Sequence, residues 1–201
     1  MKIMILSDSH MMERAELLDL LKENSVDYYI HCGDIFMDYD GLPLNNFYLV
    51  RGNNDYGKIP DVITPTFDNL KFFVTHGHRY SVGYNLNNLY QEGKKNGADV
   101  ICYGHTHRPF LDQINDTIVI NPGSVYFPRG QYRNPTYCIF DTTTKQTVFY
   151  DVLTKEQCFP EEHLKSWEKE LIIEEESLQK SIEDTDQKPK KKEPFYKRWF
   201  K

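Results

Sequence analysis

The chain has 201 residues, 39% of them hydrophobic, enough for one globular domain with a real core and an appendage. A formal charge of −6 argues against a generally basic nucleic-acid binder, and no stretch reaches the roughly 20 apolar residues of a membrane span. Four scattered cysteines (Cys32, Cys102, Cys138, Cys158) lack a C-x-x-C pair and read as reduced, mostly packed thiols of a cytosolic protein rather than a zinc site or disulfide framework. The apolar run at the N-terminus is too short for a signal peptide, so the expectation is a soluble cytoplasmic protein.

In chain order, "KIMILS" (2–7) is short and apolar and predicts a buried strand bounded by Asp8. "RAELLDLLKEN" predicts an amphipathic helix with Leu17, Leu18 and Leu21 on one face. "VDYYIHCGD" and "NFYLVRGNND" predict two further strands, stopping at Gly33-Asp34 and at Gly52. "PDVITPTFDNLKFFVTHGH" predicts a hairpin turning at Asp68-Asn69, its second strand stopping at His76-Gly77. A helix is expected over about 84–96, ending at Gly97. "DVICYGHTH" predicts the next strand, and two hairpins follow, turning near Asn115-Asp116 and near Thr143-Thr144.

Strand–helix alternation followed by hairpins predicts an α/β fold, a four-layer αββα sandwich of two mixed sheets flanked by helices. The order of strands in the sheets does not follow from sequence. The domain is expected over 1–155 and a C-terminal extension over 156–201. In the extension a helix is expected over about 161–182, with Leu164, Trp167, Leu171 and Leu178 along one side, then a disordered tail.

Five apolar runs end on metal-ligand side chains, four of them with a glycine alongside: "LSDSH" (Asp8, His10), "HCGD" (Asp34), "RGNND" (Asn53 or Asn54), "THGH" (His76, His78) and "YGHTH" (His105, His107). Open α/β folds carry functional groups beyond the carboxyl ends of their strands. Residues two apart share a face in extended backbone, so Asp8 with His10, and His105 with His107, are expected to converge. Oxygen and imidazole donors without thiolate suit Mn, Fe, Co, Ni or Zn, with Mn²⁺ foremost. The set exceeds what one ion needs, and a shared carboxylate holds two ions roughly 3.5–4 Å apart. Asp34 is the natural bridge.

"SDSH", "GD", "GNND", "THGH" and "GHTH", in this order, resemble the calcineurin-like metallophosphoesterase superfamily. "INPGSVYFPRG" (120–130) further resembles its small bacterial and archaeal phosphodiesterase branch. The match spans about residues 1–155. The resemblance implies that Asp8, His10 and His107 hold a first metal, that Asn53, His76 and His105 hold a second, and that Asp34 bridges them. It also implies hydrolysis of small or nucleotide-like phosphodiesters by a metal-bridging hydroxide. Phosphomonoester or nucleotide pyrophosphate hydrolysis is the alternative within enzymes. The related retromer subunit, a protein-binding scaffold on the same fold, supplies a non-catalytic one.

One position departs from the pattern of many family phosphatases: Asn54 stands where they carry a histidine. A neutral amide supplies no proton, so poor leaving groups and phosphoprotein-type monoesters are expected to be poor substrates. The candidate catalytic groups are therefore Asp34, Asn54 and His78, the last as a substitute phosphate contact or proton donor. Asp55 is expected to orient the Asn53 loop, Ser9 to cap the following helix, and His31 to be a hydrogen-bonded core histidine. Asn121 and Ser124 either line the site edge or build its turn. The tail mixes Lys188, Lys190, Lys191, Lys192, Lys197, Arg198 and Lys201 with Phe195, Tyr196, Trp199 and Phe200. Weak contact with RNA or an anionic membrane is the expectation there, against a merely solvating tail. Oligomeric state stays open.

Overall fold

The computed structural model describes residues 1–37 and 45–158. The expected helix at 161–182 and the basic-aromatic tail lie outside these residues. The first sheet contains β1 (Lys2–Leu6), β2 (Tyr28–His31), β3 (Phe47–Leu49), β10 (Thr136–Asp141) and β11 (Thr147–Asp151), in the order β11-β10-β1-β2-β3. The second contains β4 (Val62–Ile63), β5 (Thr66–Phe67), β6 (Leu70–Thr75), β7 (Val100–Cys102), β8 (Pro109–Ile114) and β9 (Thr117–Pro122). Its order is β4-β6-β7-β9-β8, with β5 also paired to β6. Helix α1 (Arg14–Glu23) belongs to the first sheet and α2 (Asn87–Lys95) to the second.

Both faces of the central strands are buried, as parallel pairing under a helix requires. On β1, Ile3 and Ile5 enter the core between the sheets, while Met4 and Leu6 face α1. On β7, Val100 and Cys102 enter the same core, and Ile101 lies under α2 at Gly93, where a side chain would collide with it. Phe72, Val74, Ile120, Cys138 and Phe140 complete the inter-sheet layer. The helix face that packs on β1 is Leu17, Leu20 and Leu21; Leu18, expected there, is only half-buried. Leu17 and Leu21 define the stripe four apart; Leu18 and Leu20 flank its centre equally on opposite sides, and the sheet covers the Leu20 side.

Three hairpins form where expected. Asp68 and Asn69 both take positive φ (46° and 66°), the primed turn that matches strand twist. Asn115 (φ 53°) opens the β8–β9 turn, and the Asp141 carboxylate accepts the Thr143 and Thr144 N–H groups at the β10–β11 turn. Helix α2 starts at Asn87, later than position 84, because Tyr84 closes a turn by donating its N–H to Ser81 O. It closes as expected, with Gly97 (φ 68°) donating its N–H to Lys94 O. The last described residues bond back to β11 through Cys158 N–H to Phe149 O. Cys32, Cys102 and Cys138 are buried free thiols, and Cys158 is a half-buried one. Among the described residues no helix is long and apolar enough to cross a membrane.

Candidate metal centre

β1, β2 and β3 run parallel to one another, and so do β6, β7 and β9. The loops beyond these strands bring seven of the expected side chains together: Asp8, His10, Asp34, Asn53, His76, His105 and His107.

The backbone does this differently from the extended-strand expectation. β1 stops at Leu6 and β7 at Cys102, and Asp8, His10, Asp34, His105 and His107 all have positive φ, between 41° and 68°. Each chain turns left-handed immediately past its strand, a conformation that costs a non-glycine residue about 1–3 kcal/mol and collects at functional sites. Cross-links hold the turns: Asp8 N–H to Gly33 O, His10 N–H to Asp34 O, and Gly104 N–H to His76 O. Gly104 is required by contact. A Cβ there would collide with Ser7 Oγ and lie 2.8 Å from Asp8 Oδ2. His105 N–H then donates to Asp8 Oδ2 at 3.1 Å, tying the two sheets together at the site.

Two clusters result. In the first, His107 Nδ1 donates to Phe127 O at 2.6 Å, which leaves Nε2 as a lone pair in the neutral ring. That lone pair faces Asp8 Oδ1 at 3.2 Å and His10 Nε2 at 3.2 Å. Asp8 Oδ1 is fully buried and has no hydrogen-bond donor. In the second, His76 Nδ1 donates to Cys32 O at 2.8 Å, so its Nε2 lone pair faces Asn53 Oδ1 at 3.1 Å and Asp34 Oδ2 at 3.4 Å. His105 Nδ1 lies 3.0 Å from the same Asn53 oxygen. Asp34 Oδ2 is also 3.7 Å from His10 Nε2, so it sits between the clusters. Asp8 with His10 and His107, and Asp8 with Asp34 and His76, each bring their donor atoms within 4.8 Å of one another.

Converging lone pairs around an unpaired buried carboxylate oxygen repel unless a cation lies among them. The donor set therefore fits divalent metal ions, with the two carbonyl-bonded histidines oriented as metal ligands characteristically are. Charge states agree for the two carboxylates and for His10 and His105, but not for His76, whose carboxylate neighbours favour its protonated ring. Burial alone would raise the Asp34 carboxyl pKa, but His76 and the Asn54 donors outweigh it and hold it far below the usual range. Asp8 is likewise lowered against burial, by His107 and His76. Burial lowers His10 and His105, favouring the neutral imidazoles a metal needs. His76 is raised: burial would lower it, but Asp34 and Asp8 prevail.

The remaining candidates fall into place around this set. Asn54 donates both its backbone N–H (2.8 Å) and its side-chain Nδ2 (2.7 Å) to Asp34, so its amide holds the carboxylate. His78 begins the short 3-10 turn His78–Tyr80, its ring 5.4 Å from that of His76 and 6.1 Å from that of His105. Its Nδ1 is buried without a partner. Asp55 accepts from Gly52 N–H and Phe36 N–H and so orients the Asn53 loop. Ser9 caps no helix. Its hydroxyl meets His31 Nε2 at 3.1 Å and donates to Ile35 O, while α1 is entered at Glu13, whose N–H donates to Glu16. His31 is a buried, hydrogen-bonded histidine whose pKa burial depresses to about 4. Asn121 and Ser124 build turns: Asn121 Nδ2 donates to Gly104 O, and Ser124 Oγ donates to Asp8 O. Sequence reasoning missed the two ring-orienting carbonyls, Cys32 O and Phe127 O, because every residue carries a carbonyl and composition does not mark them.

The calcineurin-like phosphoesterase superfamily domain matches residues 1–145. "Probable metallophosphoesterase YsnB" of Bacillus subtilis is 36% identical over 156 residues, covering 75% of this chain and 91% of that protein. A phosphodiesterase of Methanocaldococcus jannaschii is 32% identical, covering 73% and 96%. Among solved structures, a predicted phosphoesterase from Streptococcus pneumoniae superposes with a TM-score of 0.71 at 25% identity, covering 78% of this chain and 92% of that one. Vps29 from Entamoeba histolytica shares the fold, with a TM-score of 0.66 at 18% identity, covering 79% and 96%.

Proposed function

Because the chain belongs to the calcineurin-like phosphoesterase superfamily, we propose that it hydrolyses small or nucleotide-like phosphodiesters with two divalent metal ions. The observation that carries this reading is the pair of lone-pair clusters meeting at Asp34. Asp8, His10 and His107 would hold one ion, and Asn53, His76 and His105 the other, with Asp34 shared. When bound, two such ions neutralise the phosphate oxygens and lower the pKa of bound water, so that hydroxide exists near neutral pH. Mn²⁺ is the first choice for this thiolate-free set, with Fe, Co, Ni or Zn as alternatives.

The chain's own groups prepare the site. Asn54 donates twice to Asp34 and so keeps it ionised and aimed, which makes Asn54 a positioning residue. Cys32 O and Phe127 O fix the ring orientations of His76 and His107. His78, beside the second cluster with an unpartnered Nδ1, is the side chain available to contact a phosphate oxygen or protonate a leaving group. With no histidine at position 54, the reading favours diesters with good leaving groups over phosphomonoesters. Four free thiols suit a reducing compartment, and the cytoplasm is the proposed location.

The test is steady-state hydrolysis of a diester and a monoester model substrate by Mn²⁺-loaded protein, with metal content measured alongside. Faster monoester turnover overturns the diester reading. Less than about one ion per chain together with no hydrolysis points to a binding scaffold on the same fold.

A further inference from the structure

Eight large hydrophobic side chains are exposed among the described residues, and six of them stand in the loops at the edge that carries the metal cluster. Met11 adjoins His10, Phe36 is two residues past Asp34, Tyr56 is two past Asn54, Tyr84 lies between β6 and α2, and Tyr126 and Phe127 follow β9. Only Met1 and Leu153 lie elsewhere. Exposed apolar side chains gathered at one functional edge mark a ligand surface more than chance scatter does.

Phe127 is the best placed of the six. Its ring centroid is 5.6 Å from that of His10 and 4.6 Å from that of Tyr126, which meets it nearly edge-on at 80°. Its backbone is pinned at both ends, N–H to Ser124 Oγ at 2.8 Å and carbonyl to His107 Nδ1. Even so, the residue is 44% exposed. A ring on a pinned backbone, set against a candidate ligand and left open to water, is an aromatic platform beside the proposed phosphate-handling centre. Such platforms bind flat rings by stacking.

Resting on the phosphodiester reading above, we propose that one ester group of the substrate is a nucleoside, and that its base stacks on Phe127. The substrate class is thereby a nucleotide-type diester, and Phe127 is its specificity determinant.

The test titrates Mn²⁺-loaded protein by calorimetry with two phosphates, AMP and ribose 5-phosphate, which differ by the base. AMP is expected to bind about 5- to 20-fold more tightly. Phe127→Ala is expected to abolish that ratio. Phe127→Leu, which keeps apolar bulk without an aromatic face, is expected to do the same, and Phe127→Trp to keep the ratio. None of these variants removes the carbonyl that orients His107, and metal content verifies that the site persists. Equal affinities in the unaltered protein, or a ratio that survives in Phe127→Ala and Phe127→Leu, overturns the proposal while leaving diester hydrolysis intact. If neither phosphate binds and no diester is cleaved, the phosphodiester reading fails and takes this proposal with it.

Discussion

Five candidate ligands sit in left-handed backbone, and each carries a side chain whose lone pairs face another's. Strain and electrostatic repulsion at the same residues make sense together only if a cation relieves the second, so residue-level tests should read metal as well as rate. His105 and His107 are two apart in sequence yet face different clusters, His105 towards Asn53 and His107 towards Asp8 and His10. His105→Ala and His107→Ala are therefore each expected to lower metal content from about two ions per chain to about one, by emptying different positions. Selective occupancy is readable by Mn²⁺ magnetic resonance, since a lone ion and a coupled pair give different spectra. Loss of both ions from both variants would remove the division of labour. Asn54→Ala leaves the backbone donor to Asp34 but deletes the side-chain one, and activity is expected to fall about 10- to 100-fold with both metals weakened. If His78 assists the leaving group, His78→Gln should cut turnover more for poor leaving groups than for good ones, and reshape the pH–rate profile. A merely structural histidine would depress both substrates equally.

At the scale of elements, the loop from β7 can reach the end of β1 only because residue 104 has no side chain. Gly104→Ala puts a methyl group against Ser7 Oγ and Asp8, and is expected to cost about 1–3 kcal/mol in chemical denaturation together with metal affinity. The same loops show what the sequence could and could not convey. Strand ends were legible because apolar runs stop at glycine beside Asp, Asn or His, a punctuation with a local cause. That the backbone there is left-handed was not legible, since those turns are set by bonds to other loops, such as His10 N–H to Asp34 O. Periodicity puts Leu18 on the buried stripe where the structure buries Leu20, because a ten-residue helix offers too few turns to fix which side of the stripe is covered. Strand order was equally out of reach: β10 lies beside β1, more than 130 residues earlier, through pairing of Lys2 with Asp141 that nothing local encodes. At the far edge, buried Asp151 accepts from Tyr132, Asn134, Leu153 and Thr154. Burial would raise its pKa, but these donors outweigh it and lower it. A depressed folded value means stabilisation that is full above the unfolded pKa, about 3.9, and lost as pH falls through the folded one. Asp151→Asn should thus destabilise by about 1–3 kcal/mol at neutral pH and flatten the acid limb of the stability curve below about pH 4. An unchanged acid limb would show that Asp151 does not contribute to it.

For the whole molecule, the candidate ligand cluster is where the two sheets are joined at one edge. Asp8, His10, Asp34 and Asn53 come from the first sheet's loops, and His76, His105 and His107 from the second's. Without ions, that junction holds a buried carboxylate oxygen without a donor and imidazole lone pairs facing oxygens and one another. Ions that bind the folded chain and not the unfolded one stabilise it by mass action, about 2.7 kcal/mol for one site at a hundredfold excess over Kd. A domain of this size gains roughly 2–4 °C of Tm per kcal/mol, so adding Mn²⁺ to chelator-stripped protein should raise Tm by about 5–10 °C for each such site. The gain should fall by about half in His105→Ala and in His107→Ala, each of which would keep one ion. It should stay intact in Phe127→Ala, whose carbonyl is unchanged. A Tm that does not respond to Mn²⁺ in the unaltered protein would mean that the lone-pair clusters are relieved by protons rather than by metal. The imidazoles would then be bonded to their neighbours as donors, and the two-ion reading would fall on stability grounds before any substrate is tried.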